Sequence, residues 1–129
     1  MSRPRILVAD DEPLVLKTIE RLLGADYALT SVNDGAKALA LLRAGERFDV
    51  VLCDLSMPEV GGALVYFETA LLAPEQARRF GFIFGGTTTQ TDRALLDGLD
   101  QPRLEKPFTS RELRGMIETI LAEAARPIA

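Results

Sequence analysis

Three aspartates and one lysine are the residues whose types and positions could do chemistry. Asp10 and Asp11 follow the apolar run 6–9, Asp54 follows the nearly all-apolar segment 48–53, and Lys106 closes a short segment centred on Arg103 and Leu104. Carboxylates gathered in one crevice repel one another and hold their protons more tightly unless a cation neutralises them. Hard oxygen ligands in an incomplete protein cage suit Mg²⁺, which retains water and readily takes phosphate oxygens. Lys106 could bring a further positive charge to the same place.

That chemistry requires the four residues to meet, and the pattern of the chain says how they would. Short apolar runs alternate five times with amphipathic stretches, as in a parallel sheet covered by helices. The expected fold class is α/β, a doubly wound five-stranded parallel sheet in the order 2-1-3-4-5. Ligands collect outside the C-terminal ends of such strands where the winding reverses, and the first and third strands are neighbours there. The expected strands are 6–9, 27–32 by its alternation, 48–53, 80–84 and the segment around Arg103.

The connecting stretches carry helix signals. Pro13 opens a helix with Val15, Ile19, Leu22 and Leu23 on one face and Gly24 as its stop. Asn33-Asp34-Gly35 caps a second, with Ala36, Leu39 and Leu42, ending near Gly45. Residues 63–79 read as helical, with Pro74 ending that helix or opening a second short turn. A short helix is expected over 92–99. Thr109 with Glu112 forms a capping box before a last helix whose Leu113, Ile117, Ile120 and Leu121 face inward. After Asp54, Pro58 and Gly62 fix the turn, Gly62 by adopting a positive φ. Met57 reads as loop packing, Cys53 as a small buried strand residue, and Glu12 and Glu59 as solvated.

Composition narrows the function. The chain has 129 residues, one cysteine and no histidine, which removes imidazole catalysis, His-ligated zinc or haem, disulfides and a histidine phosphodonor within the chain. Fifteen Lys and Arg against nineteen Asp and Glu give a net charge of −4. With a pI of about 4.9, the chain lacks the basic face that nucleic acid or an anionic membrane needs. The expectation is one domain over 1–129, with a core at about 4–122 and a tail at 123–129. No apolar run has the length of a signal peptide or membrane span, so a reducing, cytoplasmic setting is expected.

The combination resembles the receiver domain of two-component response regulators, over essentially the whole chain. The matching residues are Asp10-Asp11, Asp54, Met57-Pro58 with Gly62, and Lys106-Pro107, each following the expected strand end. The wording MPEVGG, FGG and RLEKPF is similar to receivers attached to hybrid sensor histidine kinases. The resemblance implies a flavodoxin-like receiver fold in which Asp54 accepts a phosphoryl group from the phosphohistidine of a histidine kinase or histidine phosphotransfer domain. It implies Mg²⁺ held by Asp11, Asp54 and the backbone carbonyl of Ser56, with Asp10 acting through water. Lys106 would pair with Asp54 and then with a phosphoryl oxygen, across a cis Lys106-Pro107 bond. The helices flanking the fifth strand are the family's partner and dimer face, which admits a homodimer. The acyl phosphate is a signal, so the domain is not expected to be a turnover enzyme.

Two positions depart from the family. The switch residue ending the fourth strand is usually Thr or Ser, and here it is Phe84, whose ring cannot hydrogen-bond a phosphoryl oxygen. Either Thr87, beyond Gly85-Gly86, supplies that hydroxyl, or the coupling between acceptor and loop is altered; the second reading is preferred. The aromatic partner three residues before the lysine is replaced by Arg103. Phe84 therefore keeps open a pseudo-receiver, an interaction module that does not cycle through phosphorylation. A phosphohydrolase with an aspartyl nucleophile would need a carboxylate two residues on, where Ser56 stands. A flavin site is disfavoured by the acidic loop after the first strand.

Overall fold

The computed structural model describes residues 3–86 and 88–126. Five parallel strands, β1 (Arg5–Ala9), β2 (Ala28–Val32), β3 (Val50–Asp54), β4 (Phe80–Phe84) and β5 (Arg103–Glu105), form one sheet in the order β2-β1-β3-β4-β5. Helices α1 (Pro13–Leu23), α2 (Gly35–Arg43), α3 (Gly62–Leu72), α4 (Pro74–Ala77), α5 (Gln90–Asp97) and α6 (Ser110–Ala124) connect them.

The central strands are apolar except at their ends, Arg5 and Asp54, because both sheet faces are covered. Their alternation decides which layer each side chain enters. Leu7, Ala9, Val51, Cys53, Phe80 and Phe82 pack with Ala38 and Leu39 of α2, Val65 of α3 and Leu96 of α5. Ile6, Val8, Val50, Leu52 and Ile83 pack on the opposite face with Ile19 and Leu23 of α1 and Leu113 and Ile117 of α6. The crossover from β1 to β2 thus runs on the opposite face from that of β3 to β4, which creates the crevice between β1 and β3.

Local chemistry sets the boundaries. Asp34 accepts from the Lys37 N–H at the start of α2. That helix ends in a Schellman turn, with Gly45 at φ 97° and the Gly45 and Glu46 N–H groups donating to Leu42 and Leu41 carbonyls. Thr109 and Glu112 form the full capping box of α6.

Several expectations are corrected. β2 begins at Ala28 and shows no inside-outside alternation, all five residues being half-buried, because it is a sheet edge. As expected at Pro74, which cannot continue α3, residues 63–79 divide there, and Pro74 opens the short helix α4. α5 lies two residues earlier than expected because Thr89 accepts from the Asp92 N–H and caps it there. In α6, Met116 is buried and Leu121 only half-buried. That helix runs to Ala124, and residues 127–129 of the expected tail lie outside the described residues. The positive φ after Asp54 belongs to Glu59, at 66°, and not to Gly62. Gly62 serves another need: a Cβ there would stand 2.5 Å from the Asp54 carbonyl oxygen, so only glycine lets α3 start against the end of β3.

Candidate active site

Parallel register brings the acidic strand ends together. Ala9 of β1 is level with Cys53 of β3, and Asp54 is level with Ile83 of β4. Asp10, Asp11, Glu12 and Asp54 each present a carboxylate oxygen within 4.8 Å of the others. Asp10 is fully buried and Asp54 is 3% exposed. The loop holds both in place: Asp10 Oδ1 accepts from the Glu12 N–H at 2.9 Å, and Asp54 Oδ1 from the Ser56 N–H at 3.3 Å.

Lys106 arrives from β5 on the other side. Its backbone N–H donates to the Phe84 carbonyl at 2.7 Å, and its Nζ lies 3.0 Å from Asp10 Oδ2, 3.1 Å from Glu12 Oε1 and 3.4 Å from Asp54 Oδ2. The contact with Asp10 has the distance of an ion pair without hydrogen-bond alignment, so among the described residues Asp10 Oδ2 has no hydrogen-bond donor, nor has the buried Ser56 Oγ a partner. The Lys106-Pro107 bond is cis.

One ammonium among four carboxylates leaves a net negative crevice. Burial, followed by the Asp10 charge, pushes the Asp54 carboxyl up to about 6, against the opposing pull of Lys106 and the Ser56 N–H. Burial likewise raises Asp10, while the Glu12 N–H and Lys106 hold it back. Burial opposes the charge on Lys106, but Asp10, Asp54 and Glu12 outweigh it and raise the ammonium above its ordinary value. Crowded carboxylates with elevated pKa and a buried oxygen lacking a donor fit a hard divalent cation, so the donor set matches Mg²⁺.

The structure places the remaining expected residues as follows. Met57 is buried in the core beside the acceptor loop, and Pro58 is exposed at the mouth. Phe84 ends β4 half-buried against the layer of α2, α3 and α5, with the Arg93 guanidinium 5.2 Å from its ring centroid. Arg103 turns away from the crevice, donating to the Leu99 and Gln101 carbonyls and lying 3.8 Å from Asp97. Thr87 lies outside the described residues. The neighbouring Thr88 is buried, and its hydroxyl accepts from the Gly85 N–H at 3.0 Å.

Glu12 is exposed, as expected of a solvated residue, and is in addition a partner of Lys106. The Glu12 side chain makes no capping bond at the start of α1, which frees it to reach across, but no local pattern in the sequence names that partner, and none sets Arg93 over Phe84.

Known proteins share this arrangement. A family model of the response regulator receiver domain matches residues 6–118. A two-component response regulator of Oryza sativa subsp. indica, ORR22, is 43% identical over 60 residues, covering 45% of this chain and 9% of its own. Arabidopsis thaliana ARR12 is 42% identical over 60 residues, covering 45% and 10%. The chain thus spans only about a tenth of the length of these curated relatives. Among solved structures, a response regulator receiver protein from Sinorhizobium medicae is 30% identical, with a TM-score of 0.80 over 95% of this chain and 97% of its own. The receiver domain of a Pseudomonas aeruginosa sensor histidine kinase, solved with magnesium in its active-site cleft, is 27% identical, with a TM-score of 0.78 over 94% and 99%. With the match to the family spanning all five strands and the crevice between them, this chain belongs to the response regulator receiver domains of two-component systems.

Proposed function

We propose that Asp54 is the phosphoacceptor of a Mg²⁺-dependent phosphorelay. The observation that carries this reading is Lys106 Nζ, 3.4 Å from a carboxylate that is 3% exposed and already crowded by acidic neighbours. A carboxylate oxygen of Asp54 attacks the phosphorus of a phosphohistidine. The P–N bond breaks as the P–O bond forms, and the imidazole leaves carrying its own electron pair. Lys106 neutralises charge on the moving phosphoryl, and Asp11, Asp54 and the Ser56 carbonyl, with Asp10 through water, would hold Mg²⁺. The bound cation would add charge stabilisation at the phosphoryl oxygens.

The donor is a histidine kinase or histidine phosphotransfer domain, because the chain has no histidine. A groove of about 400 Å³ beside Lys106, lined by Leu14, Val15, Thr18, Pro107 and Phe108, with Leu14 78% exposed, suits an apolar helix carrying that histidine. No described helix is long and apolar enough to cross a membrane. Phe84 favours a second reading, a pseudo-receiver that binds its partner without phosphorylation. Incubation with radiolabelled acetyl phosphate separates the two: label that requires Mg²⁺ and is lost in Asp54→Ala supports the acceptor, and unlabelled wild type supports the pseudo-receiver.

A further inference from the structure

We propose that Arg93 is a phosphoryl-binding residue of this domain, its guanidinium leaving the Phe84 ring for the phosphoryl oxygens once Asp54 is phosphorylated. The inference rests on Asp54 being the acceptor.

Charge creates the demand. Asp10, Asp11 and Glu12 surround the acceptor, and a phosphoryl group brings about −2 more. Mg²⁺ and Lys106 together supply only three positive charges. Asp92, which lines the mouth with Asp11, Glu12, Ser56 and Thr89, deepens the deficit. That imbalance favours a further cation at the edge of the crevice, and the β4–α5 edge is where no hydroxyl stands on position 84.

Geometry supplies the cation. Arg93 lies in the first half of α5, with its guanidinium carbon 5.2 Å from the Phe84 ring centroid and Nη2 3.4 Å from the Gly85 carbonyl oxygen. Gly85 in turn lies against the lysine, since a Cβ on it would stand 3.5 Å from the Lys106 side chain. Lys106 Nζ reaches Asp54 Oδ2 at 3.4 Å. The guanidinium is thus parked one residue from the lysine shelf, on a strand end next to the acceptor strand. Its two contacts are weak: an aromatic face holds an exposed cation only loosely, and the bond to Gly85 is long. A phosphoryl dianion offers the same fork two parallel charge-assisted bonds, which are stronger. The phosphorylated state would therefore draw Arg93, and with it the start of α5, toward Asp54. Phe84 then acts as the resting platform for the cation in the unphosphorylated domain.

The test uses the full chain with Mg²⁺ and beryllofluoride, an acyl-phosphate mimic, observed by ¹⁹F NMR and by ¹⁵N NMR of the arginine side chains. The expected result is a shifted Arg93 Nε resonance on binding, about tenfold weaker beryllofluoride binding in Arg93→Gln, and partial recovery in Arg93→Lys. An Arg93 Nε signal that stays put while bound ¹⁹F signals appear, with Arg93→Gln binding as wild type does, overturns the role of Arg93 and leaves Asp54 as acceptor. Absence of any bound ¹⁹F signal in wild type removes the acceptor reading, and this proposal with it.

Discussion

Replacing Asp54 by Asn in the metal-free protein is expected to stabilise it at neutral pH. Asp54 is 3% exposed, and burial with the Asp10 charge behind it pushes the carboxyl from its ordinary 3.8 up to about 6. The folded state therefore holds this proton more tightly than the unfolded chain does. The stabilisation from that difference is fully present below pH 3.8 and is lost as the pH rises through about 6. The loss at pH 7.5 is about 3 kcal/mol before allowance for water at the cleft mouth, which reduces the expected gain in Asp54→Asn to about 1–3 kcal/mol. Asparagine carries no charge at any of these pH values, and Lys106 keeps Asp10 and Glu12 as partners. Urea denaturation in EDTA, followed by circular dichroism, measures the difference. The gain at pH 4.5 is expected to be about a third of that at pH 7.5. Mg²⁺ adds stability to wild type in proportion to the logarithm of its concentration above Kd, and much less to the variant. A variant no more stable than wild type at pH 7.5 in EDTA, or a gain that ignores pH, would refute the electrostatic account of this crevice.

Three other outcomes follow from the packing. Gln76 is buried, and its side-chain amide pairs with both backbone groups of Phe48, at 2.8 and 3.0 Å; Gln76→Ala strands both and is expected to cost about 2–4 kcal/mol in urea denaturation. Gly62→Ala sets a Cβ 2.5 Å from the Asp54 carbonyl oxygen, so the acceptor loop must move. Weaker Mg²⁺ binding, read by tryptophan-free methods such as calorimetry, should accompany a loss of about 2 kcal/mol or more. Burial pushes the Cys53 thiol up, and the Asp54 and Asp10 charges add to it. A thiol-directed disulfide reagent should therefore react only as the protein unfolds, with a rate that tracks urea concentration.

Sequence alone determined the class of fold and the cast of the site. The apolar runs ending in Asp10-Asp11 and Asp54, and the short segment closed by Lys106, read as parallel strands with charged residues at one end, and parallel strands align those ends. The caps at Asp34 and Thr109 were equally legible, because a helix start depends on three or four consecutive residues. Pairings between distant segments were not. Glu12 becomes a partner of Lys106, and Arg93 covers Phe84, only because crossovers on opposite faces of the sheet carry α1 and α5 to the two flanks of one crevice. The same limit explains Gly62: its need for glycine comes from the nearness of α3 to the Asp54 carbonyl, a distance that no local pattern encodes. The acceptor's elevated pKa is likewise tertiary, since burial and the nearby Asp10 charge exist only once β1 and β3 lie side by side.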